Sequence, residues 1–297
     1  MTQISKNFKD SFASRAALAD EYLNEEDGLL YCRNCHTRRQ VRIQAFGRDL
    51  TPSVLCKCQA EQQAKEDEFR KQRAFMDKIS RLKAAGLQDK SLRDYTFAHD
   101  LGYNPEMARA HAYVDHWNEM AASCTGLLLW GGVGTGKTFL AGCIANALIE
   151  KGIPVLMTNF ARILNTLSGM YSSDRNEFID SLNTYSLLII DDLGMERNSE
   201  YALEQVFHIV DGRYRSRKPL IVTTNLTLDE LKHPADLSHA RIYDRVLERC
   251  VPLRINNCNI RAMNATERIA HARDVLCCRY ADKSATSKSA DSISDEH

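Results

Sequence analysis

The sequence predicts an α/β protein, a parallel sheet flanked by helices, preceded by a small cysteine module and a charged helix. Three observations carry that reading. A short apolar run, Gly126 to Trp130, leads into a glycine-rich turn, Gly131 to Thr138, and then into a helical pattern from Phe139 to Ile149. Downstream, strand-sized apolar runs alternate with helical segments, an order that yields a parallel sheet covered on both faces. Upstream, Cys32, Cys35, Cys56 and Cys58 form a cluster.

Composition narrows the class. With 297 residues the chain has room for one large domain or two modest ones, and 44% hydrophobic with 26% charged residues is ordinary for a soluble globular protein. The 39 basic and 39 acidic residues cancel, which argues against a globally basic nucleic-acid coat protein but leaves room for local basic patches. No apolar run approaches a membrane span, and the polar N-terminus lacks a signal-peptide core, so the expected location is cytoplasmic with no membrane partner. In such a reducing compartment clustered cysteines point to a metal before a disulfide.

Taken in order, residues 1–30 read as a polar helical lead-in and 31–58 as the cysteine module, together a first segment of 1–58. Residues 59–85 are a charged linker helix. They hold no Gly or Pro, and Glu61/Lys65, Glu66/Arg70 and Asp67/Lys71 stand at helical i,i+4 spacing on a solvated spacer. The main domain spans 86–270, opening on a loop-rich junction (86–105) and a helix from Glu106 to Ser123. After the glycine-rich turn and its helix come a strand at Val155–Met157, a helix from Ala161 to Ser168, a strand at Ser186–Ile190, a helix over 199–215 and a strand at Leu220–Thr223. Residues 271–297 form a tail, rich in Ser, Asp, Lys and Ala toward its end and expected to be largely disordered.

The glycine-rich turn carries the most specific chemistry. Gly131-Gly132-Val133-Gly134-Thr135-Gly136-Lys137-Thr138 has the form of a phosphate-binding P-loop, with the strand before and helix after that it requires. Its glycines let successive backbone N–H groups curl round a polyphosphate at a helix N-terminus. Lys137 can reach the β- and γ-phosphates, and the Thr138 hydroxyl can sit on Mg²⁺. The competing reading is an ordinary glycine turn. A nucleoside triphosphate, ATP with Mg²⁺, is the expected ligand.

A second motif, Leu187-Leu188-Ile189-Ile190-Asp191-Asp192, is an apolar strand ending in two acids. Asp191 fits the Mg²⁺-holding carboxylate, and Asp192 is placed to orient and polarise the attacking water. Asn225, ending the Pro219–Thr224 run, either positions that water or caps the segment after it. Arg241, Arg245 and Arg249 stand four residues apart, one basic stripe if helical. They either solvate a surface or supply an arginine finger to a neighbouring subunit. The run Arg213-Tyr214-Arg215-Ser216-Arg217-Lys218 is either a track for a phosphate backbone or a solvated loop.

Together these residues resemble the AAA+ ATPases of the DnaC/DnaI helicase-loader family, with the IstB transposition helper ATPases a near relation. The resemblance covers roughly residues 86–265. Gly131 to Thr138 matches Walker A, Leu187 to Asp192 matches Walker B, Asn225 matches sensor 1, and Arg241 and Arg245 match the arginine-finger box. Arg261 falls, more loosely, at a late sensor-2-like arginine that would touch the nucleotide. AAA+ proteins generally carry Glu where Asp192 stands, Asp occurring in part of this family, and the resemblance therefore implies slow hydrolysis. Tyr171 and Tyr201 correspond to contacts with single-stranded DNA, with packing or plain exposure as the alternative for both. Self-association through the ATPase domain is also implied.

Cys32-x-x-Cys35 and Cys56-x-Cys58 offer four thiolates, a set suited to tetrahedral Zn²⁺. The second pair is C-x-C rather than C-x-x-C, and His36 is an alternative ligand that adjacency to Cys35 would strain. An iron–sulfur cluster lacks the usual spacing, and four unpaired cysteines are the remaining reading. A segment this short folds poorly without a staple, so a structural zinc is expected. By resemblance the module would contact the replicative helicase. The expected function is therefore ATP-dependent loading of a replicative helicase onto single-stranded DNA. The alternatives are an IstB-like transposition helper and a non-hydrolysing nucleotide-controlled switch.

Overall fold

The computed structural model describes residues 18–102, 104–194 and 199–256, with 265–266, 268–270, 272–273 and 275–276 beyond them. The chain divides into two compact units between Asp77 and Lys78. Among the described residues no helix is long and apolar enough to cross a membrane.

The first unit is built from two small antiparallel pairs, β1 (Glu21–Leu23) with β2 (Leu30–Cys32) and β3 (Ile43–Ala45) with β4 (Arg48–Leu50). The described part of the expected helical lead-in is thus a strand pair; its first 17 residues lie outside the described set. Turn chemistry explains the difference. Asn24, Asp27 and Gly28 break a helix, and the Asn24 side chain accepts from the Glu26 N–H (2.9 Å) while Gly28 takes φ +66. Helix α1 (Lys57–Gly86) then starts between the cysteines of the second pair, and its Asp67 pairs with Arg70 at 3.6 Å.

In the second unit, five parallel strands lie in the order β6-β7-β8-β5-β9: Val155–Asn159, Leu187–Leu193, Leu220–Thr224, Gly126–Trp130 and Cys250–Arg254. Alternation sorts their side chains. Leu127, Leu129, Leu187 and Ile189 join one core with α4 (Lys137–Glu150) and α2 (Met107–Asp115). Leu128, Leu188 and Ile190 join the other with α5 (Phe160–Ser168), α7 (Glu200–Arg215) and α9 (Leu237–Arg249). The remaining helices are α3 (Trp117–Ala122), α6 (Ser172–Leu182) and α8 (Leu228–Lys232). The helix expected over 106–123 is broken at His116 into α2 and α3, and Trp117 packs edge-on to Tyr113 in the core. The junction before them holds two 3-10 turns, anchored where the buried Asn146 amide donates to the carbonyls of Leu92 (2.8 Å) and Tyr95 (2.9 Å).

Arg213 overturns both readings of the basic run for its first member. It is 1% exposed and donates to the carbonyls of Tyr185, Ser186 and Pro219 at 2.7–3.0 Å, clamping the entries to β7 and β8. Burial pushes its pKa down to about 10, so it stays charged at neutral pH. Lys218 likewise donates to the Asn183 carbonyl (2.6 Å), and Arg215 pairs with Asp211 (2.7 Å). Arg213→Ala would orphan three carbonyls and leave a cavity, and is expected to destabilise this unit by about 3 kcal/mol or more, read as a lower urea midpoint.

Candidate nucleotide site and metal centre

The sheet order places the motifs side by side. Strand β8 lies between β5, which leads to the P-loop, and β7, which ends in the two acids, so all three C-terminal ends meet at one edge. The loop leaves β5 at Gly131 and passes through Gly134 (φ +77) and Gly136 (φ +97), left-handed positions at which a side chain would strain the turn. Gly136 is the N-cap of α4, so the helix opens at Lys137 with its N–H groups toward the loop. Val133 is exposed and Thr135 buried, its hydroxyl donating to the Gly132 carbonyl (2.9 Å).

Lys137 is buried, and its Nζ donates to the carbonyls of Gly131 (3.0 Å) and Gly132 (2.7 Å) and to Oδ1 of Asn225 (2.8 Å). The Thr138 hydroxyl donates to the Asp191 carboxylate at 3.1 Å. Thr223, fully buried in β8, donates to the same carboxylate and accepts from the Asp192 N–H (2.9 Å). Burial lifts the Asp191 carboxyl above its ordinary range. The Thr223 hydroxyl opposes that lift, the Asp192 charge adds to it, and Thr138 and Lys137 oppose it again. A half-buried carboxylate paired with a P-loop hydroxyl suits a divalent cation, which would relieve both burial and the Asp192 repulsion.

A bulge sets the two acids. Ile190 pairs with Val222 and Leu193 with Thr224, so Asp191 and Asp192 together face Thr223. Asp192 takes φ +60 and is exposed, while Leu193 returns to the same core as Leu188 and Ile190 despite its odd spacing. Asn225 is exposed at the end of β8; the cap of α8 is Thr227, in a capping box with Glu230, which removes the capping alternative for Asn225.

Other expected site residues lie on or beside α6, α7 and α9. Arg241 is exposed on α9, whereas Arg245 donates to Asp211 (2.8 Å) and lies over the Phe207 ring (4.7 Å). Tyr171 (83% exposed) precedes α6 and Tyr201 (39% exposed) lies in the first turn of α7. Arg175, which sequence reasoning missed, stands 5.6 Å over the Tyr201 ring and is anchored to the carbonyls of Leu167 and Met170. Arg261 falls outside the described residues.

In the first unit, the Sγ atoms of Cys32, Cys35, Cys56 and Cys58 all lie within 4.8 Å of one another. Cys58 is 3.4–3.5 Å from each of the other three. A tetrahedral Zn²⁺ with Zn–S near 2.3 Å needs sulfur atoms about 3.8 Å apart, so the four thiols fit that ion. The Thr37 hydroxyl hydrogen bond draws Cys35 down to about 5, while the surrounding Cys56, Cys35 and Cys32 thiols push Cys58 up to about 12. Burial opposes ionisation of Cys56, yet the Gln59 N–H and the Arg39 guanidinium bring it below its usual range. Arg39 is itself buried against buried Glu21 (2.9 Å). Neither appeared in the sequence reading. His36 turns to the Tyr22 hydroxyl (3.3 Å) and is outside the thiol cluster.

A P-loop lysine and threonine, a strand-end acid and a strand-end Asn meeting at the edge of a parallel sheet define a nucleotide-binding protein of the AAA+ type. A family model described as IstB-like ATP binding protein matches residues 59–268, and the chain belongs to that family. Among curated proteins it is 31% identical over 160 residues to the replicative helicase loader DnaC of Buchnera aphidicola subsp. Schizaphis graminum (52% of this chain, 62% of that protein). It is 29% identical over 162 residues to the replicative helicase loader DnaI of Bacillus subtilis (50% of this chain, 51% of that protein). The chain thus spans roughly half to six-tenths of the length of these relatives. A solved structure titled "Crystal Structure of the DnaI" aligns with a TM-score of 0.49 at 24% identity, over 58% of this chain and 93% of that one.

Proposed function

We propose that this protein is an ATP-driven loader that places a ring-shaped replicative helicase on single-stranded DNA. The observation that carries the reading is the pairing, in one chain, of an assembled nucleotide site with a separate four-thiol module suited to zinc. The loader names of the curated relatives support it over the transposition-helper alternative.

In this reading the P-loop N–H groups and Lys137 bind the β- and γ-phosphates of ATP, and Thr138 with Asp191 holds Mg²⁺, which neutralises developing charge. Asp192, exposed on the bulge, polarises the attacking water, and Asn225 orients it. Arg241 or Arg245 reaches the γ-phosphate of a neighbouring copy; engaging Arg245 requires release from Asp211. Arg261 completes the nucleotide contacts. Tyr171 and Tyr201 stack bases, with Arg175 at the second ring adding positive charge. ATP binding orders neighbouring subunits, hydrolysis releases the loader, and the zinc module holds the helicase.

The test is capture of the native host's replicative helicase by the full chain, with Cys32→Ser as control. Helicase retained by the wild type and lost by the variant is the expected result. No helicase with either protein would sink the loader reading.

A further inference from the structure

We propose that the tip of the β3–β4 hairpin is a second contact for single-stranded nucleic acid, with Phe46 as a stacking platform and Arg42 and Arg48 facing phosphates. It extends the loader reading, from which it takes only that the chain engages a single strand.

The strongest observation is where Phe46 stands. The hairpin closes through two residues, Phe46 (φ +53) and Gly47 (φ +70), both left-handed. That turn selects Asn, Asp or Gly at its first position, because a larger side chain meets its own backbone there. Phe46 is nevertheless present and 100% exposed, so no contact among the described residues compensates the strain. A strained, exposed aromatic at a turn tip points outward to a ligand.

Charge identifies the ligand class. From Tyr31 to Cys58 the chain carries Arg33, Arg38, Arg39, Arg42, Arg48 and Lys57 against a single acid, Asp49. Arg39 is buried on Glu21, and Arg38 lies 3.4 Å from Asp27. Arg42 is exposed and donates to the Asp27 carbonyl, with the Asp27 carboxylate near enough to feel its charge. Arg48 is exposed immediately past the turn, opposite Ala45. In sequence and register Phe46 stands between Ala45 and Gly47, with Arg48 opposite Ala45 and the pairs Gln44–Asp49 and Ile43–Leu50 behind it. A protein-docking hot spot sits in an apolar surround. The hairpin's other exposed large apolar residue is Ile43, and an aromatic at the turn tip of so basic a segment fits a base and its phosphates.

The test is fluorescence anisotropy of a labelled oligo-dT strand with the zinc-loaded full chain. Phe46→Asn supplies the residue the turn prefers, so its melting temperature should equal or exceed that of the wild type while dT affinity falls about tenfold. Arg48→Gln should flatten the slope of log affinity against log salt by about 0.7, the loss of one phosphate contact on a single strand. Tyr201→Ala is the comparison in the other unit. If Tyr201→Ala weakens binding and Phe46→Asn does not, this inference is overturned and the loader reading stands. Unchanged dT affinity with loss of helicase capture would make the tip a protein knob, and would also overturn it. A wild type that binds no dT overturns both.

Discussion

Replacing Lys137 by alanine is expected to lower ATP turnover by about a hundredfold or more, the usual loss when one preorganised charge at a transferring phosphoryl group is removed. The structure explains why the effect should be specific. The amine of Lys137 is held by two P-loop carbonyls and by Asn225, so one side chain links the phosphate cradle to the end of β8. Its removal frees acceptors at the rim of an exposed loop, where water can replace the lost bonds. Folding stability should therefore change by only about 1 kcal/mol. Phosphate release with Mg-ATP and a thermal melt on the same variant check both halves. Turnover at the wild-type rate would mean that this site is not the one that hydrolyses ATP.

For a zinc-loaded cysteine module, removing the metal should have the larger structural effect. Strands β1 to β4 are three residues each, and the buried set of the module includes Leu29, Leu30, Cys32 and Cys56 beside the charged pair Arg39 and Glu21. A buried ion pair is a weak source of stability, and so few apolar side chains cannot order a segment of this length. Zinc binding to such sites supplies about 10–16 kcal/mol of apparent free energy near neutral pH, which is then the folding free energy of the module. Chelation, or Cys32→Ser, is expected to abolish its separate calorimetric transition. The transition of the nucleotide-binding unit, which has its own two cores, should remain. Cobalt substitution offers a direct check, since a tetrathiolate site gives strong visible absorption that Cys32→Ser should remove.

Much of the nucleotide site is legible in the residue order because its motifs are local. A strand, a glycine turn and a helix start are contiguous, and so are the apolar run and its two acids. The four strands that short-range patterning gives hold to within two or three residues at each end, whereas β9 and helix α6 do not emerge from it. The lead-in differs because its turn residues outweighed a sparse helical pattern. Arg213 differs because a run of like residues cannot show that one of them has carbonyls to bind on two strand entries far away in sequence.

The chain by itself therefore determined the P-loop pattern, the α/β alternation and two close cysteine pairs, all written in short local stretches. The tertiary structure decided what depends on neighbours across the sheet. Placing β8 between β5 and β7 brings Asn225 to Lys137 and Thr223 to Asp191, contacts that span 88 and 32 positions. It also decided the bulge that sets Asp191 and Asp192 against one partner residue, and it separated exposed Arg241 from Arg245, which is tied to Asp211. The physical reason is the same in each case. Strand order, register and side-chain pairing minimise free energy over the packed sheet as a whole, and no window of sequence contains both partners.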